Sequence, residues 1–181
     1  MIFEATPLKG CYLVSLEPFQ DERGWFARTY CEKEFAAIGH EGNWVQLNHS
    51  FTKAKGTVRG LHFQWPPHGE IKLVRCIAGA VWDVVVDIRQ GSPTFLQSFA
   101  AELSAANQKM IYIPAGLAHG FQALTGNSEL IYHHSVSYQP GVEGGLRYND
   151  PLVNINWPLP PEHLSARDQE HPLLTTDFKG I

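Results

Sequence analysis

"VWDVVVDI", residues 81–88, decides the fold. In an extended chain Trp82, Val84, Val86 and Ile88 fall on one face and Val81, Asp83, Val85 and Asp87 on the other, because side chains alternate across a strand. Similar short runs recur on either side of it: "CYLVSLEPF", "WFARTY", "VQLNHSF", "TVRGLHFQ", "IKLVRCI", "FLQSFAAEL", "KMIYIPA", "HGFQALT" and "ELIYHHSVSY". Gly, Pro, Asn and Ser punctuate them in "AGA", "QGSPT", "SAANQ", "TGNS" and "QPG", the residues that turns demand. Only "EKEFAAIG" and "PEHLSARDQ" read as helical, and both are short.

Roughly ten strands at this spacing predict an all-β protein, an antiparallel jelly-roll (cupin-like) barrel with short peripheral helices. No internal repeat and no linker-like stretch interrupts the 181 residues, so residues 1–181 are expected to form a single jelly-roll domain. The Pro- and Asp-rich C-terminal segment is expected to wrap over the barrel as a flap. A formal net charge of -4 gives no general attraction to nucleic acid or to membranes, so any anion site must be local. No cationic-apolar leader opens the chain and no apolar run approaches the length of a membrane span, which predicts a cytoplasmic protein. Cys11, Cys31 and Cys76, odd in number and far apart, are expected to be free thiols in a reducing compartment.

"PAGLAHGF", residues 114–121, looks like half of a metal site. Metal-binding jelly rolls of the cupin type carry a glycine, five residues, His-x-His and a Glu, and later Pro-x-Gly-x-x-His. Here Gly56 leads to His62 in "GTVRGLHFQ", but Gln64 stands at the second His and Lys72 at the Glu, seven residues before Gly79. Only His62 and His119 remain as ligands, and two imidazoles beside an ammonium make a poor divalent-cation site. Neither a metal nor another cofactor is expected.

A pocket holding His62, Lys72 and His119 suits different chemistry. A His supported by a carboxylate is the usual general base near neutral pH, and a nearby Lys stabilises an oxyanion. With a Tyr donating from the opposite side, the set fits proton abstraction next to a carbonyl and reprotonation on the other face. Arg59 lies three residues before His62, an offset that puts the two on opposite faces unless a bulge or Gly60 reorients them. Arg23, in "DERGWF", is a further anion-binding candidate.

"DERGWF", "QLNHS", "GTVRGLHFQWPP", "KLVRCIAGAVWDVVVDIRQGSPTF", "IPAGLAHGF", "YNDPLVNINWP" and "LSARD", in that order, resemble the dTDP-4-dehydrorhamnose 3,5-epimerase family. The resemblance implies a cofactor-free jelly-roll homodimer that inverts C3 and C5 of a nucleotide-diphospho-4-keto-6-deoxyglucose. By motif, His62 would be the base, Asp168 its carboxylate partner, Lys72 the enolate stabiliser and Tyr132 the acid. Arg59, His119, Gln46 and Asn48 would line the sugar and diphosphate, and Tyr138 would stack on the base. Arg23 and Phe26 would come from the neighbouring subunit.

Arg28 stands where the family carries an acidic residue near the base, which leaves the nucleotide base open. On a strand His133 should turn away from the pocket, and His134 should share the face of Tyr132. The resemblance suggests only that Asp83 reaches the His62 side of the pocket. His68, His163 and His171 fall in loops and receive no role. A C3-only epimerase, a 3,4-ketoisomerase and a non-catalytic sugar-nucleotide-binding module are the alternative readings.

Overall fold

A computed structural model describes residues 1–181. Its strands are β1 (Ile2–Ala5), β2 (Tyr12–Ser15), β3 (Phe19–Asp21), β4 (Gly24–Phe26), β5 (Gln46–Thr52), β6 (Val58–Gln64), β7 (Lys72–Ala78), β8 (Ala80–Asp87), β9 (Ser98–Ser104), β10 (Lys109–Ile113), β11 (Leu117–Ala123), β12 (Ser128–His134) and β13 (Glu143–Gly145). The helices are α1 (Glu32–Ala36) and α2 (Ala166–Glu170). A six-stranded sheet runs β1-β2-β10-β7-β12-β5, and a five-stranded sheet runs β13-β6-β11-β8-β9. Every pairing within these two sheets is antiparallel, the arrangement of a jelly-roll barrel. The β3–β4 hairpin stands apart from both sheets.

The alternation in β8 does what its sequence predicts, with two apolar faces instead of one. Val81 and Val85 point between the sheets, where they pack with Leu13, Val74, Ile111, Leu130 and Phe121. Val84, Val86 and Ile88 lie on the outer face, under Val153, Trp157, Leu174 and Phe178 of the C-terminal segment. That segment therefore does cover the barrel, and it makes β8 a doubly buried strand. On the other sheet, α1 drops Phe35 onto Val14, Leu73, Met110 and Tyr112. The expected strand "WFARTY" stops at Phe26 in β4, and β13 is a strand that sequence reading missed. Glu143–Gly145 holds no alternating apolar residue; its backbone alone pairs with β6.

The β6–β11 ladder contains the bulge on which the site depends. His62 pairs with His119 but Arg59 pairs with Phe121, so three steps along β6 answer two along β11. The extra residue turns Arg59 and His62 to the same side despite their odd spacing. Gly60 sits in the bulge at φ +107, where a Cβ would meet the Cα of Gly120 and the carbonyl of His119 at 2.7 Å each. Gly60→Ala is expected to cost about 2–4 kcal/mol, from the positive φ and the clash together. Urea denaturation would measure this, and an unchanged midpoint would show that the bulge tolerates a side chain.

Candidate active site

The open end of the barrel holds a cavity of about 540 Å³, walled by both sheets. On the five-stranded wall, β6 presents His62. Its Nε2 lies 2.6 Å from Asp168 Oδ1, which leaves Nδ1 as the nitrogen free to act on a bound molecule. Asp168 sits in the first turn of α2, where Ser165 caps the helix by accepting the Asp168 N–H at 3.1 Å. The bulge amide of Gly60 also donates to this carboxylate, at 3.3 Å. Burial pushes the Asp168 carboxyl up, but the bonds from His62 and Gly60 outweigh it and hold the group below its ordinary value. Beside His62, His119 Nε2 meets the fully buried Asp83 at 2.9 Å. Asp83 thus reaches the His62 side of the pocket, as the resemblance suggests, but through His119, the ladder partner of His62, and not through His62 itself.

The six-stranded wall presents Tyr132 from β12. Its hydroxyl is 3.1 Å from Ser50 Oγ on the neighbouring β5. Burial raises this phenol further above its usual value, so it stays protonated at neutral pH and can only give a proton to a strongly basic acceptor. Below it, Lys72 Nζ meets Glu70 at 2.9 Å, and the other Glu70 oxygen meets His134 Nδ1 at 2.7 Å. His134 Nε2 reaches the Asn48 amide at 3.3 Å. Burial opposes ionisation of Glu70, yet His134 and Lys72 bring its carboxyl down to about 2. His134 stacks beside Tyr132, and His133 turns away against Trp44, as their alternation requires.

Gln46, Asn48, Arg59 and Tyr138 complete the lining. Gln46 donates to Asn48 at 3.1 Å and accepts the Tyr138 amide at 2.9 Å. Tyr138, half exposed at the rim, donates its hydroxyl to Glu143 at 3.2 Å. Of the expected site residues, Arg23 and Phe26 alone lie elsewhere in the chain. They project from the β3–β4 hairpin, with the Arg23 side chain 86% exposed and held only by Asp21. Arg28 pairs with Glu34 at 2.8 Å and does not line the cavity.

Four site residues escaped sequence reading. Glu70 and Lys72 are two apart, as residues on one side of an extended chain should be, and that was the available signal. Ser50 follows Asn48 with the same spacing. Glu143 lies on the unforeseen β13. His171, three residues after Asp168, carries its ring to 6.0 Å from that of His62. Its Nε2 is buried without a hydrogen-bond partner, and burial, followed by the charge of His62, lowers its basicity.

A carboxylate-supported imidazole and a protonated phenol on opposite walls of one pocket are the equipment of an acid–base isomerase built on a jelly roll. The family description "dTDP-4-dehydrorhamnose 3,5-epimerase" matches residues 5–176. The chain belongs to that family. It is 43% identical over 177 residues to the dTDP-4-dehydrorhamnose 3,5-epimerase of Salmonella typhimurium, covering 96% of each. The crystal structure of the Elizabethkingia anophelis enzyme of that name superposes with a TM-score of 0.93 at 40% identity, covering 98% of both chains. A Legionella pneumophila relative, solved in complex with dTDP-4-keto-L-rhamnose, gives 0.87 at 37% identity, covering 92% of this chain and 89% of its own. No helix of the chain is long and apolar enough to cross a membrane.

Proposed function

We propose that this chain, as one jelly-roll domain in the cytoplasm, converts dTDP-4-keto-6-deoxyglucose to dTDP-4-keto-L-rhamnose by inverting C3 and C5. The observation that carries the reading is the placement of the His62–Asp168 pair and Tyr132 on facing walls of one cavity. His62 Nδ1 removes the proton from C3, and the C–H electron pair moves into the C4 carbonyl as an enolate. Asp168 orients the ring and balances the imidazolium that forms. The Lys72 ammonium, held in place by Glu70, faces the enolate oxygen. Tyr132 delivers its proton to the opposite face of C3; the imidazolium then loses its proton to solvent, the phenolate regains one from it, and the cycle repeats at C5. Arg59, His119, Gln46 and Asn48 hold the sugar and diphosphate, and Tyr138 stacks on the base. None of these steps requires a metal or a redox cofactor.

The β3–β4 hairpin supports a homodimer. Phe19, Trp25 and Phe26 are exposed on it beside Arg23, and a second copy of the chain would bury them while gaining Arg23 and Phe26 for its own pocket. Sedimentation should show a dimer at micromolar concentration; a fully active monomer would refute the borrowed residues. The catalytic reading is tested by incubating the protein with dTDP-4-keto-6-deoxyglucose in deuterated water. Deuterium is expected at both C3 and C5 of a product with the L configuration. Label at C3 alone would make the chain a C3 epimerase, and no label would remove the epimerase reading.

A further inference from the structure

His171 lies outside the reaction just described, yet it completes a set of donors. Its ring nitrogen, a ring nitrogen of His62 and a carboxylate oxygen of Asp168 all lie within 4.8 Å of one another. The His171 ring is seated on β13, where Gly145 faces His62 in the ladder; a side chain at Gly145 would occupy the space the ring fills. The ring's Nε2 thus lies over Gly145, on the sheet face that carries His62. That nitrogen has no hydrogen-bond partner in a place where water does not reach it, a state that costs free energy. Two imidazoles and one carboxylate, with the cavity open beside them, match a three-ligand transition-metal site that keeps one position for water.

We propose that His62, Asp168 and His171 form a binding site for a divalent transition metal of the zinc or cobalt kind, and that its occupancy switches the enzyme off. Metal–ligand bonds of about 2.0–2.2 Å put tetrahedral donors roughly 3.3 Å apart, so closing the triad takes side-chain movements of about 1 Å. This set differs from the lost cupin motif: Asp168 and His171 replace Gln64 and Lys72, supplying an anionic and a neutral donor. The nearby cations are already engaged, Arg167 by Glu143 at 2.9 Å and Arg147 by the Gln169 carbonyl. Metal takes the Nε2 lone pair of His62, and the single ring proton then resides on Nδ1. No proton is released; the nitrogen that faces the substrate is simply no longer a base. This inhibitory half rests on the role proposed for His62, whereas the binding half does not.

The binding half is read by titrating the metal-free protein with Co²⁺ and following the visible absorption of four-coordinate cobalt. One equivalent is expected per chain. His171→Ala should weaken binding by about tenfold or more, since even loss of a residue that only supports a ligand costs that much. Gly145→Ala, which displaces the ring while keeping all three donors, should act in the same direction. Wild-type protein that takes up no stoichiometric cobalt, or His171→Ala protein that titrates like wild type, overturns the site. For the inhibitory half, Zn²⁺ should stop solvent-deuterium exchange into the keto-sugar, with recovery on chelation, each variant being compared with its own metal-free rate. Cobalt bound through His171 together with zinc-insensitive exchange would keep the site and refute both the switch and His62 as the base.

Discussion

His62→Ala is expected to abolish wash-in of solvent deuterium at both C3 and C5, a loss on the order of a hundredfold to ten-thousandfold. The other histidines that line the cavity are engaged elsewhere, His49 by Glu129 at 2.7 Å. His119 is committed to the buried Asp83, and His134 to Glu70 and Asn48 across the pocket. The fold should survive, because the His62 side chain is partly exposed and the apolar packing of β6 is carried by Leu61 and Phe63. Proton exchange followed by NMR, with circular dichroism to check folding, gives the answer. Exchange that continues in a folded His62→Ala protein places the base elsewhere.

Tyr132→Phe should separate exchange from inversion. His62 would still remove the proton and Lys72 would still face the enolate, but the far wall would hold no acid. The proton then returns to the face it left, through an imidazolium that has traded hydrogen for deuterium with the solvent. Inversion should fall by the same order of a hundredfold to ten-thousandfold while label continues to enter the unconverted sugar. The substitution also leaves Ser50 Oγ without its partner, a cost of about 1 kcal/mol that the fold can bear. Inversion at the wild-type rate would transfer the acid role to His134 or to water.

The division between what was legible and what was not follows sequence distance. Alternation within β8 and β12 assigns faces correctly, down to the divergence of His133 and His134, because side-chain direction in a strand is a local property. His62, Lys72, His119 and Tyr132 were placed in one pocket through motif order. The bulge at Gly60 is only a condition in the sequence: one inserted residue reverses facing, and only the partner strand shows where it falls. Beyond its spacing to Lys72, Glu70 looks like an ordinary loop carboxylate until β7 and β12 pair and bring His134 to it. His171 carries no pattern at all, since its neighbour in space is a glycine on a strand with no apolar alternation. Arg23 and Phe26 lie on an outer hairpin away from the cavity, a placement that alternation within the chain has no means of expressing.

Asp168 lies 106 residues beyond His62 and belongs to the C-terminal segment, not to the barrel. That segment is anchored by few regular bonds: Glu162 against Gly56 and Val58, the Gln122 amide against Leu159, and Ile181 against Ile88 and Gln90. A local opening of the segment would disconnect Asp168 from His62. The competent fraction is then set by the docking free energy of the segment, with about 1.4 kcal/mol for each tenfold change in the ratio of closed to open molecules. Trp157, Leu174 and Phe178, packed on the outer face of β8, would act on turnover through that docking although none of them touches the cavity.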